Sequence, residues 1–317
     1  MEDASALRSP ISGPASAAVL GVSAPTLVVA VAVMSWGFGG VLVKLMSISG
    51  LSLAFYRLWF GFLLMLAIVV VARRLPTRSD LRRAAPAGML FGVNVVFFFT
   101  AVRLTTVANA NLIGALQPAI VLMVAGPLFG EKSGAREAIW TAVSIVGVAT
   151  VIVGGAGSPA WNPAGDALAL CALLTFTGYF LISKHVRASM GTLEYMVGVQ
   201  LFAALVVTPI ALMPPGHVDV LERLDWAYLA IIVFATGIGA HILVNWAHRY
   251  VDVSISSLMM LLVPVVAGVA AWVILDESLT AVQIAGSMVT LGAILVIVRG
   301  TSRAGEPQAA TALDAPV

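Results

Sequence analysis

Side chains able to do chemistry are scarce in this sequence, and most of them fall inside long apolar runs. His241 is the one histidine clearly within such a run, and Gly237, His241 and Asn245 recur at i, i+4 and i+8, one stripe of a helix. An imidazole there can donate and accept hydrogen bonds and titrate near neutral pH. It equally suits a neutral ring bonded to a neighbouring helix. Trp36, Asn94, Gln117, Tyr179 and Gln200 form a second set, near the middle of their runs, with Tyr179 in line with Thr175 and Ser183. Together they would offer stacking faces and hydrogen bonds to a small amphipathic solute. Taken singly, each also fits a helix–helix hydrogen bond. Arg57 stands about seven residues into its run, roughly 9–10 Å deep at about 1.5 Å per residue. A cation at that depth must snorkel or face a wet cavity, where it could attract a carboxylate. Pro118 and Pro264 lie mid-run, and each lacks an N–H and crowds the carbonyl four residues back, that of Gly114 or Met260. Asn111, Gly114 and Pro118 share a helical face, as Ser257, Met260 and Pro264 do. That spacing suits a cavity wall with a bend for gating; a kink serving only packing is the plainer alternative.

What is missing narrows the chemistry. No Asp or Glu falls at mid-run; Glu131, Glu194, Asp276 and Glu277 sit at run ends, where capping explains them. Proton relays usually pass through buried carboxylates, so coupling to protons would have to use His241 or an acid at a helix end, and uniport or exchange needs neither. There is no G-x-x-x-x-G-K-[ST] loop for nucleotide phosphates. No H-E-x-x-H and no Cys/His cluster suggests a metal, and no cofactor is expected. Cys171 is the single cysteine, which precludes an internal disulfide, and reads as a small core residue. A membrane-embedded serine hydrolase could pair His241 with Ser254, Ser256 or Ser257, but no Gly-x-Ser-x-Gly elbow and no orienting acid accompany them.

The elements that must carry these residues follow from composition. The chain has 317 residues, 60% hydrophobic and 10% charged, with a mean hydropathy of +1.03. Soluble domains carry about 25% charged residues, so this is an integral membrane protein. Ten apolar runs, 26–45, 51–72, 85–104, 108–130, 137–155, 164–184, 193–213, 226–247, 252–275 and 280–299, are long enough to cross the bilayer as helices. Residues 1–24 and 301–317 read as loose tails. With the N-terminus inside, thirteen Lys and Arg fall on the inner side and four on the outer. That bias orients both termini to the cytoplasm. Arg73 to Arg83 then form a juxtamembrane topology signal with some affinity for anionic lipid, and nucleic acid is not an expected partner. Residues 101–131 recur without a gap at 247–277, a shift of 264 − 118 = 146 that superposes Arg103 on Arg249, Pro118 on Pro264 and Glu131 on Glu277. Five runs per half make the second copy enter the membrane inverted, an arrangement of many secondary transporters.

The segments MSWGFGGVLVK, LAFYRLWFGFLL, ANANLIGALQPAIVLMVAGPLFGEK and its echo SISSLMMLLVPVVAGVAAWVILDES resemble the EamA type of the drug/metabolite transporter superfamily over residues 26–299. The second half departs from the pattern at 175–178, Thr-Phe-Thr-Gly, where a Trp-Gly pair would repeat the first. The resemblance implies two five-helix repeats, 25–156 and 163–300, around a central cavity. It also implies movement of amino acids, metabolites, sugar conjugates or drugs, often outward. The expected protein is therefore an all-α, multi-pass protein of the cell membrane that exports small organic metabolites by alternating access, rocking residues 26–155 against 164–299. A non-transporting sensor or scaffold is the other rival, and it would need a soluble domain that these runs leave no room for. Small residues at Ala138, Ala142 and Ala149, and at Ala285, Gly286, Gly292 and Ala293, suit close packing against a second protomer in a homodimer or against their own bundle.

Overall fold

The computed structural model describes residues 24–104, 113–114, 116–130, 134–155, 163–213, 218–275 and 280–304. Asn111 and nearly all of both expected tails lie outside them. Among the described residues there is no strand. The helices are α1 (Ala24–Leu45), α2 (Gly50–Val71), α3 (Arg78–Leu104), α4 (Gln117–Phe129), α5 (Ala135–Gly155), α6 (Pro163–Arg187) and α7 (Thr192–Leu212). Three segments in line, Arg223–Ile231, Ile232–Gly239 and Ala240–Ala247, make α8; Val253–Met259 and Leu262–Leu275 make α9; Ala281–Ala304 is α10. Seven helices, α1, α2, α3, α6, α7, α8 and α9, are long and apolar enough to cross a membrane within the described residues. A helix satisfies its own backbone, which is why an apolar chain in lipid takes this form.

The inverted repeat is visible in the packing. The 146-residue shift turns α1–α5 into α6–α10. Two of the most extensive interfaces, α3 with α6 and α3 with α7, have their images in α8 with α1 and α8 with α2. The interfaces α5–α10 and α2–α7 map onto themselves. Each half therefore packs mainly on the other. Glycines permit the closest approaches: a Cβ on Gly88 would sit 2.7 Å from the Val199 carbonyl, and one on Gly92 2.8 Å from that of Ala203, so α3 lies directly on the α7 backbone. Gly147 does the same for α5, 2.9 Å from the Gly286 carbonyl of α10. Gly286 and Ala293 thus serve their own bundle, whereas Ala138, Ala142, Ala285 and Gly292 face outward. Cys171, expected in the core, is exposed on the outer surface of α6. The main apolar core lies where α2, α3, α7 and α8 meet, around Leu58, Met65, Phe91, Met196 and Ile232.

Local signals explain several boundaries. Ser49 caps α2 by accepting from the Ser52 N–H at 3.2 Å. The other end of α2 closes with Arg73 N–H on the Val70 carbonyl and Arg74 N–H on that of Val69, at 3.1 and 2.9 Å, and with Arg73 at a φ of 53°. That is a Schellman turn with an arginine where glycine is usual. In the second repeat α9 breaks at Met260–Leu261, four residues before Pro264. The Met260 carbonyl, expected to be left weakly bonded, accepts from Val263 N–H at 3.0 Å. The first repeat also has a turn ahead of its proline, with Leu116 N–H on the Ile113 carbonyl at 3.1 Å.

Candidate functional site

The site begins with a fault in α8. Over Ile232–Gly239 the helix widens into a π-helical segment. Such a segment carries one extra residue per turn and brings the carbonyl five residues back close to the wall. A Cβ on Gly237 would lie 2.8 Å from the Ile232 carbonyl, and one on Gly239 2.7 Å from that of Phe234. Only glycine fits both places. The widened turn leaves the Thr236 carbonyl available to the Trp36 Nε1–H, 2.7 Å away, which ties α1 to α8. Regular helix resumes at Ala240, so His241 and Asn245 stand one turn apart.

Three buried polar groups converge there. Asn245 Nδ2 donates to the Tyr179 hydroxyl at 2.9 Å and to the His241 carbonyl at 2.9 Å. The Tyr179 hydroxyl lies 3.2 Å from His241 Nδ1. That hydroxyl therefore bridges Asn245 and the imidazole within the buried cluster. Aromatic rings surround the imidazole: Trp36 and Phe91 each at 4.8 Å between centres, and Tyr179 at 5.9 Å. Phe176 packs on both Trp36 and Tyr179. Arg57 enters from α2, its guanidinium 5.8 Å from the centre of Phe91 and 5.6 Å from that of Phe99. Rings at that range attract a cation. Among the described residues no carboxylate pairs with Arg57. The result is an aromatic-walled, hydrogen-bonding cluster with one uncompensated cation, built from α1, α2, α3, α6 and α8.

Of the residues singled out in the sequence, Trp36, Tyr179, His241 and Asn245 come together, with Arg57 alongside. Gly237, on their predicted stripe, faces Arg57 instead: a Cβ there would lie 3.7 Å from its Nε. Asn94 points at α6, donating to the Ala172 carbonyl at 2.9 Å. Gln200 lies against Gly61 of α2, with its Oε1 unpartnered. Gln117 is buried beside Pro118 with its Nε2 unpartnered. Pro264 is half-buried in α9. Ser257, one serine considered as a nucleophile, donates to the Ser254 carbonyl at 2.8 Å, and His241 Nδ1 is taken by Tyr179. The described residues contain no group of His, Cys, Asp or Glu able to hold a metal. From sequence, Phe91 and Phe176 are not singled out, and Phe97, Phe98 and Phe99 read as mostly lipid-facing or packing residues, yet Phe99 meets Arg57. Phe91 precedes Asn94 by three residues and so shares its helical face, a signal that was there to be used. Gly237 and Gly239, flanking Ile238, were the visible trace of the π segment.

One end of the molecule is clasped shut across the two repeats. Asp225, in the first turn of α8, accepts from Ser47 N–H at 3.1 Å and from the Ser47 hydroxyl at 2.7 Å. Asp219 accepts from Ser49 N–H at 2.6 Å and the Ser52 hydroxyl at 2.9 Å, while the Tyr56 hydroxyl donates to the Asp219 carbonyl at 2.9 Å. Arg103 donates to the Ile48 carbonyl in the same turn. At the opposite, basic end the described residues give fewer side-chain links between repeats: Arg83 to the Ser189 hydroxyl at 2.5 Å, and Arg74 to Glu194 at 4.0 Å.

The sequence profile of the EamA-like transporter family matches residues 24–153 and again residues 163–299. The chain belongs to the EamA-like transporter family. As an EamA-like protein it is a multi-pass membrane transporter of the drug/metabolite type, and both matched repeats carry residues of the cluster. One similar protein is the uncharacterized transporter YetK of Bacillus subtilis (strain 168), 26% identical over 203 residues, 62% of this chain and 61% of YetK. Another is protein PecM of Dickeya dadantii (strain 3937), 27% identical over 244 residues, 73% of this chain and 78% of PecM. A solved crystal structure shares the EamA-like chain's fold at a TM-score of 0.75 and 17% identity, covering 89% of this chain and 99% of its own.

Proposed function

We propose that this EamA-like protein is a secondary transporter that exports a small organic solute bearing an anionic group, such as an amino acid, across the cell membrane. The observation that carries this reading is the cluster itself: Arg57 with no carboxylate partner among the described residues, aromatic walls, and the Tyr179–His241–Asn245 hydrogen bonds. A carboxylate would neutralise Arg57 and an apolar or aromatic side chain would stack on Phe91, Trp36 or Phe176. Asn94, Gln117 and Gln200 serve as outlying polar groups. Asn111, outside the described residues, belongs to the same proposal, as do Pro118 and Pro264 as hinges. The positive-inside bias supports a reading with both termini in the cytoplasm. The clasped end is then extracellular, and loading occurs from the cytoplasm. Uniport or exchange fits the cluster without a carboxylate relay.

Alternating access takes a different form from two rocking halves, because each half packs mainly on the other. The moving units are α3 with α6 and their images α8 with α1, hinged at the turns ahead of Pro118 and Pro264. The test is counterflow in proteoliposomes loaded with amino acids, nucleosides, sugars and cationic dyes. Exchange of acidic or zwitterionic solutes without a pH gradient is the expected result. Arg57→Gln is expected to weaken it by about tenfold or more, the range of a lost charged hydrogen bond, and to spare neutral solutes. Equal loss for every solute would sink the assignment of Arg57.

A further inference from the structure

At the basic end an open groove of about 530 Å³ runs between the two repeats. Its walls are Val28 of α1, Leu193 of α7, and Ile242, Leu243 and Trp246 of α8; Arg74 and Thr192 stand at its rim. At about 100° per residue, Leu243 and Trp246 lie roughly 200° and 140° around α8 from His241. The groove therefore opens on the far side of α8 from the polar cluster, and it is not an approach to it. Its walls suit hydrocarbon rather than a polar solute. Its mouth suits an anion: Arg74 is 64% exposed, and its ion pair with Glu194 is loose at 4.0 Å. Arg73, its neighbour, holds a left-handed φ of 53°, a conformation costly for any residue with a Cβ. That turn carries the chain back over the end of α2 and sets two arginines at the level where lipid headgroups lie. Trp246 on the wall is the side chain that favours this depth.

We infer that this groove is a binding site for one anionic glycerophospholipid of the leaflet at the basic end, an acyl chain between α1, α7 and α8 and the phosphate on Arg74. Because Val28 and Arg74 come from the first repeat and the other residues from the second, a lipid seated there joins the two repeats at the end where the described residues give fewer direct side-chain links.

The experiment is native mass spectrometry of the full chain taken from bilayers of equal phosphatidylglycerol and phosphatidylcholine. It reads lipid and not transport, so its outcome does not depend on the solute. The wild type is expected to retain phosphatidylglycerol over phosphatidylcholine by about fivefold, the factor one arginine near a membrane surface supplies. Arg74→Gln, an exposed change that leaves the fold alone, should bring the ratio to about one. Glu194→Gln keeps the size of the side chain, removes the competing carboxylate and should raise it. Val28→Trp, or Leu193→Trp should Val28→Trp elute as aggregate, fills the groove and should remove one retained lipid. A ratio unchanged in Arg74→Gln, or a lipid count unchanged in the tryptophan variant, overturns the site. Displacement of the lipid by glycerol phosphate, which has the headgroup chemistry without the tails, would make this a free-anion site and overturn the lipid assignment as well.

Discussion

His248 lies between α8 and α9, 1% exposed, with neither ring nitrogen hydrogen-bonded. Its one defined contact is edge-on to Phe180 at 4.5 Å. Burial first, then the charges of Lys184 and Arg187, push its imidazole down to about 3. An unfolded histidine takes up its proton near 6.5, so between about 6.5 and 3 the unfolded chain binds a proton that the folded chain refuses. Stability must then fall as pH drops through that window. His248→Phe keeps the contact with Phe180, removes two unsatisfied nitrogens and abolishes the window. Thermal melts in detergent are expected to show the variant gaining about 1–3 kcal/mol, with a larger gain at pH 5 than at pH 8. A gain that does not change with pH would mean that His248 finds a proton partner in the folded state. His241 is the contrasting case, since its buried Nδ1 is paired with Tyr179. That residue was legible in the sequence because a polar group inside an apolar run stands out. Phe99 was not, since an aromatic ring in a membrane helix looks the same whether it faces lipid, a neighbour or a cation. Of the run Phe97–Phe99, only Phe99 turns inward, to meet Arg57.

At the scale of the helix, the π segment of α8 reverses the usual sign of a glycine substitution. Gly→Ala in an exposed helix stabilises by up to about 1 kcal/mol, and Gly40 of α1, with nothing within 4 Å of an added Cβ, should behave so. Gly239→Ala instead drives a methyl to 2.7 Å from the Phe234 carbonyl. The wide turn has to close, and the helix beyond it rotates by about 100° per residue lost. His241 then leaves Tyr179. Gly239→Ala is expected to lower the melting temperature by the equivalent of about 1–3 kcal/mol and to abolish solute exchange, while Gly40→Ala does neither. Parallel melts and counterflow check the pair, and a stabilised, active Gly239→Ala would refute the account. The helices themselves were legible from hydropathy, and the repeat from Arg103, Pro118 and Glu131 against their counterparts. Counting at 3.6 residues per turn cannot register an inserted residue, which is why Gly237 was expected on the stripe of His241 and instead faces Arg57. Breaks ahead of Pro118 and Pro264 were signalled by the prolines, but their position depends on the neighbours that accept the displaced backbone.

For the whole molecule, the packing of each repeat on the other was hidden from the sequence, because a repeat declares its copies and not their partners. The clasp depends on that interweaving. Asp219→Ala removes acceptors for Ser49 N–H and the Ser52 hydroxyl, and each charged hydrogen bond is worth about 1.5–3 kcal/mol. A cysteine introduced as Ala54→Cys, fully buried near that end, in a Cys171→Ser background, reports opening through a membrane-impermeant maleimide. Labelling should quicken on the order of tenfold when Asp219 is removed; an unchanged rate would show that the clasp does not hold the end closed. Among the described residues only the basic end adds an exposed ion pair to its hydrogen bonds. Neutral hydroxyls and amides on Asp219 and Asp225 give dissolved ions no opposite charge to replace. Arg74 and Glu194 form an exposed pair of opposite charges, which salt at a Debye length of about 8 Å weakens directly. Concentrated salt would therefore slacken the Arg74–Glu194 link while the Ser47, Ser49 and Ser52 bonds of the far clasp stay tight.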